Sequence, residues 1–117
     1  MTSEQLKART ERFAIRVIAL CQHIPRSPTN DLIAGQLAGA ASSVAANYRA
    51  ACLAQTRKQF IAKIATVVEE ADESHLWLDM LHKTMPQEAQ AALELLDEAN
   101  QLTAIFTASL RTAKSRL

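Results

Sequence analysis

The sequence predicts an all-α protein, an antiparallel up-down-up-down four-helix bundle. Three observations lead there. Ala occurs 22 times in 117 residues, and Ala is the strongest helix former. Only 2 Gly and 3 Pro are present, too few for the turns of a β-sandwich. Apolar residues recur three and four apart in four separate stretches, the period of a helix with one buried face.

The first stretch runs from about Ser3 to His23. Thr2 and Gln5 have capping-box spacing, and Leu6, Phe13, Val17, Leu20 and Ile24 form the stripe. Pro25 and Pro28 end it. Thr29 or Asn30 is expected to cap the second helix, which continues to about Leu53 on Ile33, Leu37, Ala40, Val44, Tyr48 and Ala51. A second capping box, Thr56 to Gln59, opens the third, with Phe60, Ile64, Val67, Ala71, His75, Leu78 and Leu81. Pro86 suits the first turn of the fourth, which carries Ala89, Leu93, Leu96, Ala99, Leu102, Phe106 and Leu110. Short connections make sequential helices antiparallel neighbours, so residues 1–117 read as one domain. Ile61, Val68, Trp77, Leu95 and Ile105 fall beside the main stripes and suggest either a wide core or a second face buried between subunits.

The N-terminus is polar and charged, unlike a signal peptide. The longest uncharged run, Leu32 to Tyr48, is too short and too polar to span a bilayer. Its Gly35-x-x-x-Gly39 spacing suggests a close helix–helix crossing inside the bundle. Cys21 and Cys52 have no metal-ligand spacing, and the threading puts them near opposite ends, too far apart for a disulfide. A cytoplasmic protein with reduced thiols is expected.

Charge is where the sequence speaks to function. Its net value is only +1, which excludes a polyelectrolyte-style nucleic-acid binder but not a local basic patch. Antiparallel threading collects Lys7, Arg9, Arg12, Arg49, Arg57, Lys58, Lys63, Arg111, Lys114 and Arg116 toward one end, with Glu4 and Glu11 as the local acids. Such an end can hold phosphates. Lys7, Arg9, Arg12, Arg57, Lys58, Arg111 and Lys114 are the candidate nucleic-acid contacts. Aromatic residues are 4% of the chain, so backbone contacts are expected rather than base stacking.

No catalytic constellation stands out, and no cofactor or enzyme activity is expected. Asp72-x-x-His75 and Asp79-x-x-His82 resemble half of a di-metal site, but such bundle sites need pairs on two helices. A metal-dependent bundle enzyme using these four residues is one alternative, and a protein-binding scaffold is another. His75 is expected inside or at the boundary, and His82 on the surface. Arg16 lies level with Glu69 and Glu70 and is expected to pair with them.

Ser43-Val-Ala-Ala-Asn47-Tyr48-Arg49-Ala-Ala-Cys52, then Arg57, Phe60-Ile-Ala-Lys63, Glu69-Glu70-Ala-Asp72-Glu73-Ser74 and Trp77-Leu78 form a specific pattern. It resembles the bacterial four helix bundle protein family, including the intervening-sequence proteins encoded inside large-subunit ribosomal RNA genes. It is also similar to the accessory variability determinant proteins of diversity-generating retroelements. The resemblance implies a ring-like homopentamer, an accessory role with RNA, DNA or a reverse transcriptase, and no catalysis. The motif positions it carries over are Asn47, Tyr48, Arg49, Glu70, Asp72, Glu73 and Trp77. Gly39 stands where many members have Arg, and Leu53 and Gln55 where basic residues are common. These departures thin the positive surface and remove an expected partner of Glu70 or Glu73.

Overall fold

The computed structural model describes all 117 residues. Four helices and no strand make up the chain: α1 Ser3–Gln22, α2 Pro28–Cys52, α3 Arg57–Thr84 and α4 Ala89–Ser115. They form a rod of 46 × 20 × 20 Å. Each helix packs on its neighbours in sequence, and α4 returns to α1 to close the ring; that last seam is the loosest. The core is one continuous column. Val17, Leu37, Val44, Ile64, Leu78, Leu102 and Phe106 are all fully buried in it.

Local signals set most helix ends. Thr2 and Gln5 make the complete capping box, each side chain taking the other's backbone N–H. At α3 the box is half made. The Gln59 N–H donates to Thr56 Oγ1, but the Gln59 side chain turns back to the Gln55 N–H. Two expected ends move. Ser27, not Thr29 or Asn30, caps α2: it accepts the Asn30 N–H at 3.0 Å, which leaves Pro28 at the start, where its missing N–H costs nothing. Pro86 lies ahead of α4 rather than in its first turn. The Glu88 N–H donates to the Met85 carbonyl, so Met85 to Glu88 form a chain-reversing turn with Pro86 second, the place a fixed φ favours.

The stripes hold except at two positions, Phe60 and Leu110, which are half-buried, and in the first half of α4. There the buried line is Ala92, Leu95 and Ala99, while Leu93 is 42% exposed. Ala89 and Leu96, expected in the core, are half-buried. Leu95, expected on the flank, is therefore core. Val68, Trp77 and Ile105 pack against the core and are half-covered by their own chain. The apolar side chains left in water are others: Ile15, Ile18, Leu32, Leu76, Met80 and Leu93 on the helices, with Leu53 in the α2–α3 turn and Met1 and Leu117 at the termini.

Gly35 and Gly39 correct another expectation. They are not at a crossing inside the bundle. A Cβ at either position would meet nothing within 4 Å, so both lie on the open outer surface of α2. Neither has a positive φ. Glycine in a helix interior costs roughly 1 kcal/mol relative to Ala. Gly35→Ala and Gly39→Ala should therefore each raise the melting temperature by a few degrees, on the order of 4 °C per kcal/mol for a domain of this size. Thermal denaturation at micromolar concentration checks this, and a fall instead would put that surface inside a contact.

Candidate nucleic-acid interface

Antiparallel threading brings the starts of α1 and α3 to the ends of α2 and α4. Phe60 of α3 and Ala113 of α4 line one cavity at this end. Tyr48, near the end of α2, stacks on Phe106 with ring centroids 5.1 Å apart. Burial pushes the Tyr48 hydroxyl well above its ordinary value, with the Cys52 thiol beside it adding to the effect. Cys21 is at the far end, its thiol 3.5 Å from the Ala34 carbonyl. From Ala34 to Cys52 along α2 is about 27 Å at 1.5 Å per residue. Both cysteines are free thiols.

Ion pairing sorts the thirteen bases. Five are engaged: Lys7 with Glu4, Arg9 with Glu98, Arg16 with Glu94, Arg26 with Asp31 and Lys83 with Asp79. The other eight have no acidic partner: Arg12, Arg49, Arg57, Lys58, Lys63, Arg111, Lys114 and Arg116. All eight come from the set that threading sends to one end.

Two of the seven candidate contacts are thus already committed. Arg9 makes a two-pronged bond to Glu98, at 2.8 and 2.7 Å, and also donates to the Gln101 side-chain oxygen. Its side chain is 21% exposed and that of Glu98 18%, so this pair ties α1 to α4 rather than facing a ligand. Lys7 is held by Glu4 at 3.1 Å, a pair exposed enough to be worth little. Arg12, Arg57, Lys58, Arg111 and Lys114 remain available.

Arg16 does not meet Glu69 or Glu70. It reaches Glu94 at 4.0 Å, because α1 neighbours α2 and α4 while α3 lies diagonally across the core. His82 is half-buried rather than on the surface, with Nδ1 3.0 Å from the Ala89 carbonyl. His75 is half-buried, as expected at a boundary. Asp72 is exposed, and Asp79 is turned to Lys83 at 2.9 Å, which holds its carboxyl below the usual range. No group of three or more His, Cys, Asp or Glu side chains comes together to hold a metal ion.

The motif residues act locally. Asn47 donates to the Ser43 carbonyl, and Trp77 Nε1 donates to Glu73 at 3.3 Å. Arg49 is exposed. Glu70 is half-buried without a cation, and its pKa is raised by burial first and then by the like charges of Glu73 and Glu69.

One feature of this end has no counterpart in the linear reading. Arg9 faces Glu98, so the first residue of α1 is level with about residue 104 of α4. The last turns of α4 run on past α1 for roughly 15 Å. The result is a cleft of about 470 Å³ between α3 and α4, lined by Phe60 and Ile105 with Arg57 and Arg116. The unequal lengths of α1 and α4, 20 and 27 residues, are the signal that could have found it.

Fold and charge together define a helical bundle with one cationic end. The chain belongs to the 23S rRNA-intervening sequence protein family, whose model matches residues 4–108. It is similar in structure to a protein of unknown function from the S23 ribosomal protein family of Bacteroides thetaiotaomicron. The TM-score is 0.84 at 22% identity, covering 95% of this chain and 99% of that one. No curated protein matches it. No helix is long and apolar enough to cross a membrane.

The position of Glu70 has a consequence for pH dependence. A carboxyl whose folded pKa lies above its unfolded value of 4.5 binds its proton more tightly in the folded state. Its charged form then subtracts from stability as pH rises through the folded pKa. Glu70→Gln should accordingly raise the melting temperature at pH 7, with the gain vanishing below about pH 4.5. Melting curves of both proteins across pH 3–8 check this.

Proposed function

We propose that the protein is a non-enzymatic, self-assembling bundle whose cationic end holds the phosphate backbone of RNA or DNA. The observation that carries this reading is the distribution of unpaired bases. Seven of the eight lie in the last turns of α2 and α4 or the first two turns of α3, at one end of the rod. Only Arg12 stands further along α1, level with about residue 95 of α4. The five remaining bases are neutralised by acids of the same chain. Phosphate contacts of this kind release counterions and make binding steeply salt-dependent without base preference. The family name, which refers to 23S rRNA, is consistent with a nucleic-acid setting.

Self-assembly is supported by the apolar side chains in water. Ile15 is 57% exposed, Leu32 57% and Leu76 51%, with Ile18, Met80 and Leu93 also open. A second copy of the chain would cover them, and several copies would multiply the cationic end. The family resemblance implies a homopentamer. A reverse transcriptase is the protein partner it suggests, and a scaffold for another protein is the second reading of the same apolar residues.

Two measurements test the proposal. Binding of a short RNA or DNA duplex should weaken as salt rises. Replacing Arg57, Lys58, Arg111 and Lys114 with Gln should reduce the slope of log K against log salt by up to about 3.6, four contacts at roughly 0.9 each. Absence of binding by the unaltered protein at low salt overturns this part. Native mass spectrometry should give about 64 kDa, five times the 12.8 kDa chain; a monomer overturns the assembly.

A further inference from the structure

The cationic end is notched. Because α4 outruns α1, the flank of α4 near its C-terminus and the first turn of α3 have no helix across from them. The cleft left there has four kinds of lining. Phe60 offers a half-exposed aromatic ring, and Phe60 also borders the neighbouring hollow at the α2–α3 turn. Ile105 adds apolar wall. Ser109 and Thr112 bring hydroxyls, neither engaged in a hydrogen bond within the chain. Arg57 and Arg116 stand beside it without an acidic partner.

From this lining we infer that the cleft takes an unpaired nucleobase of a single-stranded RNA or DNA segment. The base stacks on Phe60, its polar edge meets Ser109 and Thr112, and its phosphates lie between Arg57 and Arg116. Each part of the ligand answers a feature of the wall. Two unpaired guanidinium groups call for an anion, and Arg matches phosphate with a planar, forked set of donors. An aromatic floor calls for a flat apolar body, and every base has a face that stacks. Free hydroxyls beside that floor call for a body with hydrogen-bonding edges, which separates a nucleobase from a fatty-acid chain. The volume falls within the range of small-molecule sites. A base inside a duplex is already stacked and paired, so only an unpaired one can enter.

The inference rests on the phosphate-binding reading and refines it, from any nucleic acid to one with a free base. The test compares a short single-stranded oligonucleotide, carrying 2-aminopurine at one end, with a blunt duplex of equal phosphate number. The proteins are the unaltered chain, Phe60→Ala, Phe60→Trp and the pair Arg57→Gln with Arg116→Gln. The single strand should bind more tightly than the duplex, with quenching of 2-aminopurine. Phe60→Ala should lose about ten-fold to a hundred-fold of single-strand affinity and leave duplex affinity unchanged. Phe60→Trp should restore it, which also guards against a folding defect. The double Arg variant should weaken both. Equal binding of the two nucleic acids, or a Phe60→Ala loss shared by both, overturns the cleft site while leaving the phosphate-binding end standing. No binding of either nucleic acid by the unaltered chain overturns both. A Phe60→Ala change in native mass makes a second copy the occupant and also overturns the cleft site.

Discussion

The depth to which each helix slides past the next governs everything else in this molecule. That depth is fixed by a single buried column, in which Leu37 and Val44 of α2, Ile64 and Leu78 of α3, and Leu102 and Phe106 of α4 leave no exposed surface. Helices joined by short connections must run antiparallel, so side chains distant in sequence become level with one another. Tyr48 reaches Phe106 across the column, and Arg9 reaches Glu98 across its loosest seam.

Charge then follows packing. The same chain carries an excess of bases in its first half and of acids in its second, and the threading converts that linear asymmetry into a spatial one. Pairing sharpens it. Salt bridges such as Arg26 with Asp31 and Lys83 with Asp79 neutralise bases away from the cationic end. Lys7 and Arg9 are paired as well, while the bases of α3 and of the last turns of α2 and α4 at that end stay free. Weak as surface pairs are for stability, they decide which cations a ligand can meet.

Most of the fold was legible because helix period, caps and proline placement are local signals. The capping box at Thr2 and the stripes of α1 to α3 needed only neighbours in sequence. Where reading failed, the deciding contact came from another helix or from a competing local bond. Leu93 and Leu95 are both plausible core residues by spacing, and only the placement of the neighbouring helices chooses between them. Arg16 was expected level with Glu69, but α1 stands further along the rod than equal helix lengths would place it, and α3 lies across the diagonal, so Arg16 meets Glu94 instead. Gly35 and Gly39 had a spacing that suits close approach, and no spacing says whether anything approaches. The candidate interface was legible in outline, since the end of the rod is a matter of topology. Its notch was not, because stagger between α1 and α4 depends on the register set by Arg9 and Glu98.

The loose seam between α1 and α4 also gives the molecule a weakest place. Regions with few buried contacts open first, by local unfolding far short of the global transition. The helix leaving would be α1, hinged at the residues that follow Gln22. Its departure would carry Arg9 away from Glu98 and uncover the α4 flank along its whole length. The bundle would then hold a three-helix remainder with a long acidic edge and a detached arm with three unbound cations, Arg9, Arg12 and Arg16: a form whose electrostatic character differs from the closed rod without any change of sequence.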